Sequence, residues 1–188
     1  VGALGACVPY RTLADTMAME PEKYSALKAF ADRRLRETGV PGAGVGIIKD
    51  GQVIFAGGFG TRDLNTGEPV NSQTAYLIGS STKPFTVTAI AILAQEGILD
   101  WDEPVRTYMP SFRFQDEYVS EHLTLRDLGC HRSGVADEPD WMGSTLTRGE
   151  MIESMSEYEQ SAGFRERFQY NGAGFMILGH MATLASKT

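Results

Sequence analysis

A serine three residues ahead of a lysine, Ser80 and Lys83 in the run Tyr76-Leu-Ile-Gly-Ser-Ser-Thr-Lys-Pro-Phe85, is the pairing in this chain best suited to chemistry. Residues i and i+3 of a helix are neighbours on one face, so the hydroxyl and the amine can meet there. Turned toward a cleft, the pair would be a nucleophile with its own proton acceptor. Beyond Lys83, residues such as Phe85, Val87, Ile90, Ile92 and Leu93 make the segment apolar on nearly every side, the pattern of a helix buried inside a domain. Gly97 is the expected stop. The helix should begin near Ser80, where unpaired backbone N–H groups and the positive end of the dipole favour developing negative charge. The Ser80 amide would then be half of an oxyanion hole, a donor worth about 3–4 kcal/mol in a transition state. An apolar wall around Lys83 would disfavour its charged form and make it a usable base. Pro84 lacks an N–H, tolerable in a first turn, but it biases Lys83 away from helical geometry, so a distorted turn is expected. Ser-x-x-Lys recurs by accident, and alone it does not establish a site.

A second stretch raises its weight. In Phe168-Gln-Tyr170-Asn-Gly-Ala-Gly174-Phe-Met-Ile-Leu178-Gly179, a tyrosine stands just before a glycine-flanked helix start, placed to project into a cleft. A phenol with a reference pKa of about 10 is a poor base by itself, and a neighbouring ammonium makes its phenolate more accessible. Taken alone, such a tyrosine is ordinarily a core aromatic with a satisfied hydroxyl.

The elements that would carry these residues are legible in outline. Pro21 to Thr38 reads as an amphipathic helix with Tyr24, Leu27, Ala31 and Leu35 on one face, closed by Gly39 and Pro41. Ala43 to Ile48 and Gln52 to Ala56 read as strands joined by a hairpin at Asp50-Gly51. The glycines around them lack the spacing of a phosphate-binding loop, and tight turns and close packing account for them. After the buried helix comes a mostly helical region. Leu123 to Leu128 is a short helix capped by Thr124 with Asp127, Thr147 to Tyr158 another with Thr147 and Glu150 in capping-box spacing, and Gly172 to Leu184 the last. The boundaries are an N-terminal extension over 1–20 and one domain over 21–188, made of helix and hairpin (21–75), nucleophile helix (76–97) and helical subdomain (98–188). The order predicts an α+β fold in which a sheet packs on a central helix beside the helical part, with Ser80 in the cleft.

Composition narrows the function. With 188 residues, 42% hydrophobic and 22% charged, the chain can build a real core. A net charge of −7 argues against nucleic acid or an anionic membrane as the main partner. No apolar run approaches the ~18 residues of a membrane span. Cys7 and Cys130 form neither a disulfide framework nor a metal-ligand spacing, and whether they pair stays open. His122, His131 and His180 stand outside any ligand motif and read as structural or surface residues. Leu4-Gly-Ala-Cys7 resembles a lipobox, but no basic and apolar leader precedes it, so a trimmed signal remnant or cloning residue is the preferred reading over lipidation.

Together these segments resemble the serine β-lactamase and penicillin-binding-protein superfamily, especially its class C β-lactamase and esterase branch. Ile78-Gly-Ser80-Ser-Thr-Lys83 resembles the S-x-x-K motif. Tyr170-Asn-Gly172 stands where the branch has Y-x-N. Gly97 to Val105 and Leu123 to Gly134 are similar to its connecting segments, so the resemblance covers the chain from about Glu22 onward. It implies a β-lactamase/transpeptidase-like fold and a serine hydrolase working without metal or cofactor through an acyl-Ser80 intermediate. Lys83 would be the proton partner and Tyr170 the proton shuttle, while His131 and Ser133 shape the loop. Esters, small peptide amides or β-lactams are the implied substrates, esters first, and a periplasmic or secreted setting is implied by resemblance alone. Two departures stand out. Gly172 replaces the Asn that holds the substrate carbonyl and orients the lysine; Asn171 is one position off and could substitute only in part. The Lys/His-Thr/Ser-Gly motif is absent, since Ser186-Lys-Thr188 is not that motif, and the chain reads as the front portion of a larger protein, truncated, processed or paired with a separate second portion. A non-catalytic penicillin-binding-like sensor module, or an incomplete fragment, are the competing readings.

Overall fold

In a computed structural model, residues 16–136 and 144–186 are described. The readings at Leu4 to Cys7, most of the 1–20 extension, the Cys7 partner of any disulfide, and Lys187 and Thr188 fall outside them. The chain divides into two compact units, Val1–Leu77 and Ile78–Thr188.

In the first unit, helix α1 (Pro21–Thr38) starts with proline in its first turn and ends at Gly39, whose φ of 69° closes a left-handed cap. Tyr24, Leu27, Ala31 and Leu35 are half-buried while the opposite face is exposed. The amphipathic stripe therefore does the packing, and Tyr24 meets Phe55 and Phe59 at ring distances of 5.8 and 6.4 Å. Strands β1 (Thr16–Met17), β2 (Gly42–Lys49) and β3 (Gln52–Gly60) form an antiparallel sheet in the order β1-β3-β2. Asp50 and Gly51 both have positive φ, 51° and 74°, the backbone of a two-residue turn whose twist matches the strands it joins. Gly58 is dictated by crowding, since a Cβ there would lie 2.1 Å from Val70.

The second unit holds a 3₁₀ turn (Gly79–Thr82) and helices α2 (Lys83–Gln95), α3 (Val105–Tyr108), α4 (Glu117–His122), α5 (Leu125–Gly129), α6 (Arg148–Ser154) and α7 (Gly172–Ser186). Both expected capping boxes form, Thr124 with Asp127 on α5 and Thr147 with Glu150 on α6. The third predicted helix is shorter than its pattern, because Met155–Glu157 tightens into a 3₁₀ turn. Helix α7 is the hub and packs on α2, α5 and α6. Its buried residues Ala173, Gly174, Ile177, Leu178 and Met181 repeat at helical spacing and enter the core with Ile90, Val105 and Leu125.

One expectation fails here. Helix α2 was predicted to be buried all round, yet Ile90 is its one buried residue, and Phe85 and Ile92 are 69% and 53% exposed. A helix apolar around its circumference needs partners on every side. Among the described residues of this unit, α7 covers one of them.

Candidate active site

Gly79 enters the 3₁₀ turn with φ of 53° and open space around it, so the glycine serves the backbone rather than a tight fit. In a 3₁₀ turn, side chains at i and i+3 eclipse one another. The turn closes with the Lys83 N–H donating to the Ser80 carbonyl, which sets the lysine side chain directly over the serine. Lys83 has right-handed helical dihedrals, φ −57° and ψ −44°, despite the proline that follows. The distortion expected from Pro84 thus falls on the residues before Lys83. Proline at the second helical position sacrifices no intrahelical bond, because the first N–H groups have no partner within the helix.

Three functional groups converge. Lys83 Nζ donates to Ser80 Oγ at 3.2 Å and to Tyr170 Oη at 2.7 Å, and Ser80 Oγ and Tyr170 Oη are 2.8 Å apart. Ser80 and Tyr170 are exposed and Lys83 is half-buried, so the hydroxyl is within reach of a ligand. The lysine ammonium also lies 4.9 Å from the Tyr170 ring centroid and 5.1 Å from that of Phe175, so two aromatic faces attract the charge while two oxygens accept its protons. Nothing in the sequence pointed to Phe175, though it lies on α7 one turn beyond Tyr170.

Tyr170 is held from beneath. The His131 ring lies flat against it, with centroids 4.7 Å apart and planes 25° apart. Asn171, beside it, is 3% exposed. Its Oδ1 accepts from the Gly174 N–H at 2.7 Å, capping α7, and its Nδ2 donates to the carbonyls of Val135 and Ala136 at 3.1 and 2.8 Å. The amide is therefore engaged in fastening the start of α7 to the loop after Ser133. Gly172 is the first residue of α7 and offers no side chain. Ser133 accepts from the Val135 N–H at 3.3 Å and so bonds within its own loop.

Beneath this layer lies a carboxylate that sequence reasoning credited with capping alone. Asp127 is fully buried. It accepts from the Thr124 N–H and hydroxyl at 3.1 and 2.8 Å, from Arg132 at 2.6 Å, and from Arg165 at 3.0 and 2.7 Å. Burial pushes its pKa up, but the hydrogen bonds from Arg165, Thr124 and Arg132 together outweigh that and hold the group below the ordinary carboxylate value. The ion pairs join α5 to the segment leading to Tyr170. Arg165 gave no motif signal, since its partner lies far back in the chain.

The beta-lactamase family model matches residues 27–188. The protein flp of Staphylococcus aureus (strain NCTC 8325 / PS 47) is 28% identical over 151 residues, 77% of this chain and 30% of its own length. The serine beta-lactamase-like protein LACTB, mitochondrial, of Bos taurus is 39% identical over 101 residues, 53% of this chain and 18% of its own length. Among solved structures, the octameric penicillin-binding protein homologue from Pyrococcus abyssi superposes with a TM-score of 0.75 at 31% identity, over 88% of this chain and 40% of that one. The chain thus spans less than half the length of each of these relatives. With most of its residues under one family model and its backbone superposed on a penicillin-binding-protein homologue, the chain belongs to the beta-lactamase family and has a β-lactamase/transpeptidase-like fold.

Proposed function

We propose that the chain carries the nucleophile and proton-transfer groups of a serine hydrolase that works through an acyl-Ser80 intermediate, on esters first and on small peptide amides or β-lactams second. The observation that carries this reading is the closed triangle of Ser80, Lys83 and Tyr170, formed across 90 positions of sequence. In the acylation step Ser80 Oγ bonds to the acyl carbon and its proton passes to Tyr170 Oη, in the phenolate form that the Lys83 ammonium stabilises. The acyl–oxygen bond to the leaving alcohol breaks, and Tyr170 returns the proton to the departing alkoxide. Water then attacks the acyl carbon, gives its proton to Tyr170, and the phenol restores Ser80 as the acid departs. Every proton is accounted for among these residues, the substrate and water.

Gly172 and Asn171 border the acyl group in this reading. The engaged amide of Asn171 supports a role through its place in the backbone rather than as a carbonyl donor. With no amide at position 172, esters are favoured, since a more reactive carbonyl needs less polarisation. Incubation with a fluorophosphonate probe, followed by peptide mapping, should mark Ser80. Turnover of p-nitrophenyl acetate should vanish in Ser80→Ala. Absence of labelling and turnover would instead favour a second reading, a binding module that holds a peptide or cell-wall fragment without cleaving it, for which Gly172 is the supporting feature.

A further inference from the structure

Helix α5 ends in a Schellman turn. The His131 N–H donates to the Leu128 carbonyl at 3.2 Å and the Arg132 N–H to the Asp127 carbonyl at 3.1 Å. His131 occupies the position where glycine is the usual residue, and its φ is 55°. A residue with a Cβ is disfavoured in that conformation, and such strain persists where the side chain has a task. The side chain here is buried, 9% exposed.

Its contacts bracket one residue. The His131 carbonyl accepts from the Gln169 N–H at 2.7 Å, and His131 Nδ1 accepts from the Asn171 N–H at 3.0 Å. Both amides that flank Tyr170 therefore hang from His131, one on its backbone and one on its ring, while the same ring stacks on the phenol. Phe168 and Phe175 close around the imidazole at 5.4 and 5.1 Å. Nδ1 can accept only while it carries no proton, so the bond also selects the tautomer with hydrogen on Nε2.

We infer that His131 is a positioning residue: by taking the Asn171 N–H on Nδ1 and stacking on the phenol, it aims Tyr170 at Ser80 and Lys83. The inference rests on the hydrolase reading for its kinetic consequence, but its geometric content stands apart. A residue that merely filled space would be replaced well by another ring and poorly by a short polar side chain. A residue that works through an acceptor at Nδ1 reverses that order, because asparagine places Oδ1 near the same point and tolerates positive φ.

The test compares His131→Phe with His131→Asn in the full chain, with two readouts. The rate of Ser80 labelling by the fluorophosphonate should fall on the order of 100-fold in the phenylalanine variant, as misplacement by about 1 Å does. It should fall by about threefold or less in the asparagine variant, even where that variant melts lower. The nuclear Overhauser contact between the Tyr170 ring protons and the Lys83 ε-methylene should weaken in the first and persist in the second. An unchanged contact and wild-type labelling in His131→Phe would overturn the inference. A wild-type chain that resists the probe while its Overhauser contacts follow the expected order would sink the hydrolase reading and uphold the positioning one.

Discussion

At the level of single residues, Ser80 and Lys83 stood out because their spacing has few structural uses, and Tyr170 because a phenol ahead of a glycine-rich helix start is placed to project. Two aspects were hidden. The eclipsed alignment of hydroxyl and amine comes from a 3₁₀ turn rather than an α-helical one, and propensity cannot separate the two over four residues. Asn171 could be read as a stand-in for the missing amide because sequence shows residue type without direction; its side chain is turned inward to the cap and the loop. The position left open is Gly172. Gly172→Asn would place an amide at the first turn of α7, and if the substrate carbonyl lacks a donor there, acylation by nitrocefin should rise by about 100-fold, the usual worth of one such donor. Hydrolysis of p-nitrophenyl acetate should change much less. Equal effects on both substrates, measured side by side, would show that the carbonyl is served from elsewhere.

At the level of elements, the capping boxes and the Asp50-Gly51 hairpin were legible because each is written within four residues. The Asp127 network was not, since Arg132 lies just beyond its helix and Arg165 is 38 positions away. Asp127→Asn should cost roughly 2 kcal/mol, below the 3–5 kcal/mol of a fully buried pair. The discount follows from the two arginines, whose side chains are 37% and 44% exposed and so remain partly solvated after the change. The pH dependence has a definite sign. The folded pKa lies below the unfolded value, so the charged carboxylate is favoured by folding. Its contribution is complete above about pH 4, the unfolded carboxylate range, and declines as the pH falls through the folded value. Denaturant melts of wild type and Asp127→Asn should differ by a constant amount from about pH 6 to 8 and converge in acid. A difference that grows on acidification would assign the stabilisation to another group.

At the level of the whole molecule, alternation and helical period located the sheet and α7, whose buried positions repeat as an amphipathic helix should. They misjudged α2, because composition registers how apolar a helix is and not how many neighbours this stretch of chain supplies. The matched relatives are each more than twice as long, and the residues described here cover one side of that helix. The hydroxyl and the phenol sit at opposite ends of the second unit's sequence, 90 positions apart, and α7 is the strut between them. Nucleophilicity at Ser80 is therefore a property of docking, absent from any state in which α7 has come away, even if every helix survives. Along a urea titration, probe incorporation should decline at a lower concentration than the far-ultraviolet circular dichroism, so that the serine doubles as a reporter of tertiary assembly. Coincident curves would mean instead that strut and helices melt as one cooperative body.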